Sequence, residues 1–364
     1  MRVLISGGGT GGHIFPALAA AQALAELDPS VELLYVGRRG GMEEEIVPRF
    51  GVPMDPIDMR GVQDEMWRNL PLAWALPASL ARAVGMMRRF QPSAVLGTGG
   101  YITAPIGAAA LLRRVPLVLQ EQNVVPGRTT RTLAPRAHTV CTAFAETASR
   151  LPRARCIHTG TPLREDFTAL GLAAHEHARP GLRPLRRLVV IGGSQGAHRI
   201  NTAVAEALKQ LLELPDLVVH HVCGKLDIEH LAAMRGGLEP GLRQRYTVEA
   251  FNERMIDVLA EADLVVSRAG GSAIAEVTAL GIPLILVPYP HAGAHQRFNA
   301  EPVAAAGAAS VVPDEELSGV RLGEEVRRLA RDSAALAGMR GASLAFGRPD
   351  AARNVARVVL EAAA

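Results

Sequence analysis

Four stretches of the chain put glycines where a short apolar run gives way to a helical pattern. They are Gly7–His13 (GGGTGGH), the GTGG within Ala94–Pro105, Gly192–His198 (GGSQGAH), and the RAGG within Leu264–Glu276. Glycine admits positive φ and lets backbone approach a ligand closely. A helix N-terminus adds unpaired N–H groups and partial positive charge, so each turn is a place for an anion, above all phosphate. One such turn is weak, because many strand–helix loops need glycine for packing alone; four in paired positions argue for phosphate chemistry in both halves of the chain. Two side chains on these turns add chemistry. The Ser194 hydroxyl either donates to a phosphate oxygen or caps its helix. His13 ends the first turn, where an imidazole is a helix-start residue, a contact to phosphate or acceptor, or a general base near neutrality.

The positioning elements follow from the pattern. Apolar runs at Arg2–Ser6, Glu32–Val36, Ala94–Leu96, Pro116–Leu119, Leu188–Ile191, Leu217–Val222, Leu264–Val266 and Pro283–Val287 read as strands. Alanine-rich helical periods lie between them at Ile14–Leu27, Ile200–Leu212, Ser272–Leu280 and Gln296–Ala306, with a last helix at Ala351–Ala363. That alternation predicts an α/β fold with parallel sheets covered on both faces. Leu170–Arg187, rich in Pro, Gly and charge, reads as a surface loop near a domain boundary. RVLIS-GGGTGGH resembles RLVVI-GGSQGAH, and AVLGTGGYITAP resembles LVVSRAGGSAIAE, each pair about half the chain apart. Two similar doubly wound domains facing one another across a cleft would account for both pairs.

Composition narrows the classes. A length of 364 residues suits two domains, each able to bury a core. A net charge of +3, from 39 basic and 36 acidic residues, is too small to argue for a nucleic-acid binder, which shows a concentrated basic face. Cys141, Cys156 and Cys223 match no metal spacing and read as reduced, structural thiols. The opening MRVLISGGGTGG does not read as a signal peptide, and no stretch reads as a membrane-spanning helix. No GxxxxGK[ST] is present, which excludes a P-loop nucleotidase. Gly7–Gly12 formally contains GxGxxG, but the next strand ends Val36-Gly37-Arg38-Arg39 instead of in the acid an NAD reader uses. An arginine there suits an NADP 2′-phosphate, so an NADP-dependent oxidoreductase stays open.

GGGTGGHIFPALAAA, GTGGYITAP, EQNVVPG, GTPLRED, IGGSQGAHRIN and SRAGGSAIAEVTALGIPLILVPYP with HQRFNA follow one another from Met1 to about Ala309. In that order they resemble the motifs of the MurG family, bacterial transferases that move GlcNAc from UDP-GlcNAc onto lipid I to make lipid II. The resemblance implies a GT-B fold of two facing Rossmann-like, doubly wound domains with an interdomain cleft, an inverting mechanism, no cofactor and no obligatory metal. It implies an acceptor and membrane-contact domain at 1–162, a UDP-GlcNAc domain at 163–346, and a C-terminal helix at 347–364 that packs back on the first. It places Arg164 and Ser194 at the donor diphosphate. The nucleoside loop becomes Gly271, Ser272, Ala273, Ile274, Ala275 and Glu276, with Glu276 on the ribose diol, and Asn252 lies by the uracil edge. Gln296 and Asn299 fall on the donor sugar. From the first domain it brings Thr10, Gly11 and Gly12 to the donor and Asn123 to the site. Members of the family often carry His before EQN; here Gln120 stands there, and an amide cannot act as a base. Another GT-B transferase acting on a lipid or small aglycone, and a nucleotide-sugar binder without catalysis, remain alternatives.

Met66–Phe90 holds both tryptophans, Trp67 and Trp74, with Leu80, Met86 and Met87 and interspersed arginines. It reads either as a core-facing helix pair or, because the family's acceptor is lipid-tethered, as a contact with the cytoplasmic face of the membrane. The expected partners are therefore UDP-GlcNAc, lipid I and a membrane surface, in a peripheral protein of peptidoglycan synthesis, and through it of cell wall, shape and division. Nucleic acid is not among them.

Overall fold

The computed structural model describes residues 1–59, 72–177, 182–192, 197–290 and 295–364. The chain divides into two compact units, Met1–Glu165 with Arg348–Ala364, and Asp166–Gly347.

The first unit is built on strands β1 (Arg2–Ser6), β2 (Glu32–Val36), β3 (Ala94–Gly97), β4 (Leu117–Glu121), β5 (Thr139–Thr142) and β6 (Cys156–His158). They form one parallel sheet in the order β2-β1-β3-β4-β5-β6. Val3, Leu4, Ile5 and Ser6 are all buried, because helices cover both faces and a strand between them has no solvent side. The helix Gly11–Leu27 lies on one face, and the helix Ala351–Ala363 lies beside it. The last helix buries Ala352, Val355, Ala356, Val359 and Ala362, at helical spacing, against Ile14, Leu18, Leu24 and the sheet. On the other face, Met86 and Met87 of the helix Leu72–Phe90 sit in the core with Ile102 and Ile106. These methionines are core, which for them decides between the two readings of Met66–Phe90 in favour of the core-facing helix, and Leu80 packs against the same cluster. Arg82 and Arg89 of that helix both pair with Asp55, at 3.2 and 3.1 Å. Trp67 and the side chain of Trp74 lie outside the described residues.

The second unit repeats the plan with β7 (Arg187–Ile191), β8 (Val218–Val222), β9 (Tyr246–Glu249), β10 (Leu264–Ser267), β11 (Leu284–Leu286) and β12 (Ala309–Val311). These are parallel, in the order β12-β11-β10-β7-β8-β9. The helix His198–Leu212 turns Ile200, Val204, Leu208 and Leu211 inward, and Gly319–Arg331 adds Leu322, Val326 and Leu329 to the same core. Of the stretch expected as a loop, Leu170–Arg187, residues 182–186 are irregular as expected, while the first part is instead the latter half of a helix, Glu165–Glu176. Its anchor is Phe167, which is fully buried, with Gly171 buried one turn on. A window opened at Leu170 cuts that anchor off, and the remaining GLAAHEHARPG loses its period.

In each sheet the chain first proceeds one way from the founding strand and then returns to its other side. The switch points therefore lie between β1 and β3 and between β7 and β10. Ligands of open α/β sheets sit at such points, beyond the carboxyl ends of the strands. All four glycine-rich turns leave from those four strands, which is the physical content of the internal repeat.

Candidate functional site

In the first unit the turns after β1 and β3 are pressed together. A Cβ at Gly7 would stand 2.0 Å from the Thr98 hydroxyl, and one at Gly8 would stand 2.0 Å from Glu43 Oε1. Gly100, at φ 77°, has no room either, since its Cβ would lie 2.3 Å from the Gly8 carbonyl oxygen. Glu43, almost fully buried, accepts the Gly9 N–H at 2.7 Å and so fixes the crest of the loop from beneath. A Gly100→Ala variant is therefore expected to melt well below the natural chain. Gly40→Ala, also at positive φ (65°) but with nothing within 4 Å, is expected to cost only the backbone strain, about 1–2 kcal/mol. Thermal melts of the two, side by side, check this; equal losses would mean that crowding between the turns contributes nothing.

His13 begins on this scaffold. Its Nδ1 lies 2.9 Å from the Thr98 carbonyl oxygen, and the Thr98 hydroxyl donates to the His13 carbonyl at 2.7 Å. A carbonyl only accepts, so Nδ1 carries the hydrogen and Nε2 keeps its lone pair. Gln122 Nε2 donates to the same Thr98 oxygen at 2.8 Å. Burial pushes the His13 pKa down, opposed in part by the Thr98 carbonyl, the charge of Glu121 and the Gln122 side chain. The ring is thus held neutral, with one nitrogen able to take a proton.

The helix that follows starts at Gly11, with His13 and Ile14 N–H both bonded to the Thr10 carbonyl at 3.1 and 3.2 Å. Thr10 is exposed at the N-cap and makes no side-chain cap bond. Arg164 belongs to this unit and not to the second, its guanidinium carbon 5.6 Å from the centroid of the Phe15 ring. Beyond β4, Glu121 organises the EQN segment: Oε1 accepts the backbone and side-chain N–H groups of Asn123, at 3.1 and 3.2 Å, and Oε2 accepts Gly127 N–H at 3.0 Å. Gln120 is fully buried, and its amide donates to the Gly160 carbonyl at 3.0 Å. Its work is to hold the turn after β6. Glu43, Thr98 and Gln122 escaped the sequence reading; each acts on backbone groups, for which no motif spacing exists.

In the second unit the turn after β10 is held from two sides. Asn299, fully buried, donates to the Ala269 carbonyl at 3.1 Å. Arg268 donates to the Val287 carbonyl at 3.2 Å and pairs with Asp314, which also takes Arg199 at 3.1 Å. Asn299 thus stands behind the turn instead of offering its amide to solvent. Gln296, half-buried, accepts Tyr289 N–H at 3.0 Å. Gly270 caps the helix Gly271–Ala279 without a side-chain bond, so Gly271, Ser272 and Ala273 open the helix with their N–H groups forward. Ile274 is buried, whereas Ala275 and Glu276 are half-buried.

Asn252 donates to Glu249 Oε1 at 2.6 Å and accepts Arg254 N–H at 2.8 Å, so its side chain shapes its own loop. Ser194, on the turn after β7, lies outside the described residues. At the carboxyl end of β8 the sequence reading missed a buried network. His221 meets Asn201 Oδ1 at 2.9 Å and Tyr246 at 3.0 Å, and the Asn201 amide reaches the Cys223 carbonyl and Asp227 at 2.8 and 2.6 Å. Burial lowers the His221 pKa to about 4, which keeps it neutral.

Comparison with known proteins bears on the whole chain. The glycosyltransferase family 28 N-terminal domain matches residues 3–142, and the family's C-terminal domain matches residues 187–355. A protein of Moorella thermoacetica named UDP-N-acetylglucosamine–N-acetylmuramyl-(pentapeptide) pyrophosphoryl-undecaprenol N-acetylglucosamine transferase is 44% identical over 99% of both chains. One of the same name from Desulforudis audaxviator is 39% identical over 99% of this chain and 98% of its own. Among solved structures, MurG of Acinetobacter baumannii superposes with a TM-score of 0.78 at 28% identity, covering 99% of each chain. Two parallel six-stranded sheets with their helices, in that likeness, make this a GT-B-type fold.

Proposed function

The chain belongs to the MurG transferases of glycosyltransferase family 28, and on that premise we propose that it moves GlcNAc from UDP-GlcNAc onto undecaprenyl-pyrophosphoryl-MurNAc-pentapeptide, lipid I, giving lipid II for peptidoglycan. The observation that carries this reading is full-length identity of 44% to a transferase of that name. Glycine-rich turns at the switch point of each sheet support it, since both substrates carry diphosphates.

The acceptor hydroxyl attacks C1 of GlcNAc as UDP departs, inverting that carbon. His13 Nε2 takes the hydroxyl proton, its Nδ1–H held by Thr98. Arg164, Ser194 and the N–H groups opening the helix at Gly271 stabilise the charge that develops on the diphosphate. Glu276 accepts from the ribose diol, the backbone around Asn252 reads uracil, and Gln296 meets the sugar, with Asn299 fixing the turn behind it. Thr10, Gly11, Gly12 and Asn123 complete the first unit's share. In this reading the first unit takes the acceptor and the second takes the donor.

A lipid-linked acceptor brings the chain to the cytoplasmic face of the membrane as a peripheral protein. No helix of the described residues is long and apolar enough to cross one. With Met86 and Met87 in the core, the contact falls to the amino-terminal part of Met66–Phe90, where Trp67 and Trp74 combine apolar bodies with Arg68. Replacing both tryptophans by Ser should reduce co-sedimentation with anionic vesicles and leave the melting temperature unchanged. Intact vesicle binding with a lowered melting temperature would move both into the core.

The reaction itself is tested by UDP release from UDP-GlcNAc with and without lipid I. Release that depends on lipid I, with lipid II formed, is the expected outcome. Release with a diacylglycerol or small aglycone in its place would favour another GT-B transferase.

A further inference from the structure

The second unit's sheet has a carboxyl end, where its glycine turns lie, and an amino end, where the function above uses nothing. At the amino end a cavity of about 280 Å³ opens beside Asp263 and Ile282, the residues that enter β10 and β11. Four residues of β10 separate it from the Arg268–Gly271 turn, about 13 Å at strand rise. It is a place of its own.

Its charges do not close. Asp263 Oδ2 accepts the backbone N–H groups of Arg186 and Arg187, both at 3.0 Å, and Oδ1 pairs with Arg340 Nη2 at 3.3 Å. Arg187 in turn takes Glu261, on the cavity rim, at 2.7 Å. Two cationic demands remain. Arg340 Nη1 is buried with no hydrogen-bond partner, and Arg183, also on the wall, has no ion-pair partner among the described residues. A buried donor without an acceptor is an exception among folded proteins and asks for an explanation. The rest of the wall is His177 and apolar residues, among them Leu170, Leu259 and Leu344.

We propose that this cavity binds a small organic carboxylate, its oxygens on Arg340 and Arg183 and its short apolar body against the three leucines. Arginine presents a planar fork that matches a carboxylate, and an acceptor there satisfies the orphaned Nη1. One negative charge balances Arg183. A dianion such as phosphate meets the carboxylates of Asp263 and Glu261 with charge to spare and leaves the leucines uncovered. The volume lies at the lower end of ligand pockets, which fits an acid of a few carbons.

Calorimetric titration of the full chain at fixed chloride tests this with three probes: hexanoate, hexanol and inorganic phosphate. Hexanoate should bind, hexanol and phosphate at least about tenfold more weakly, and Arg340→Met should weaken hexanoate by about tenfold or more. Arg183 is exposed, so Arg183→Ala keeps the fold and should also weaken hexanoate, by several-fold. A melting curve accompanies each variant. If Arg340→Met unfolds, Arg183→Ala alone decides. Three outcomes overturn the proposal: hexanol binding as tightly as hexanoate, phosphate binding in preference to it, or hexanoate affinity untouched by Arg183→Ala. Absence of hexanoate binding overturns it as well.

Discussion

His13→Ala will turn over UDP-GlcNAc and lipid I about 10²–10⁴-fold more slowly than the natural chain, while binding UDP almost as well. The expectation rests on tautomer and burial together. Thr98 takes the Nδ1 proton, so the nitrogen left open is the one with a lone pair. Burial lowers the ring's pKa below its usual 6.5, so the imidazole is neutral at neutral pH. In the natural enzyme the acid limb of the kcat/KM profile should therefore have its midpoint below 6.5, with activity lost as pH falls through it. In His13→Ala that limb should vanish. Single-substrate pH profiles of both enzymes check the point. A loss of only a few-fold with the acid limb intact would leave His13 as a helix-start residue braced by Thr98.

Glu276→Ala should weaken UDP binding by about 10–150-fold, the equivalent of a hydrogen-bonded charge worth about 1.5–3 kcal/mol. The residue is half-buried on the second turn of the helix Gly271–Ala279, whose inward face is Ile274, Val277 and Thr278. Alanine suits a helix there, so the melting temperature should hold. Titration with UDP separates the outcomes: unchanged affinity removes Glu276 from the nucleoside site, and a fall in affinity shared by UMP places its contact on the nucleoside instead of the distal phosphate.

Strands and glycine turns were open to reading from the sequence because both have strong local causes. RVLIS carries three apolar residues in a row, Val3, Leu4 and Ile5, as a strand covered on both faces does, and glycines stand where β1 and β3 crowd each other. Short strands such as Thr139–Thr142 and Ala309–Val311 carry threonine, serine or too few residues to stand out. Met86 and Met87 stayed ambiguous for the opposite reason. Beside tryptophans and arginines they look like a membrane face, yet the side they present is decided by Ile102 and Ile106, which no local window contains. The candidate site was legible where it depends on backbone, at Gly7–Gly12 and Gly270–Gly271. It was illegible where one side chain serves another residue's main chain, as Glu43 serves Gly9 and Asn299 serves Ala269.

The first unit is made of both ends of the chain, and this orders events on the ribosome. Ile14, Leu18 and Leu24 gain their cover only when Val355, Ala356 and Val359 arrive, after all of Asp166–Gly347 has been synthesised. At about 5–20 residues per second that interval is on the order of ten seconds or more. The second unit, continuous in sequence, can complete its own core within it. The nascent first unit meanwhile carries an open apolar stripe, which makes Arg348–Ala364 the segment that completes its core. A stop codon placed before Arg348 would leave the glycine turns and His13 in the sequence but no finished core beneath them.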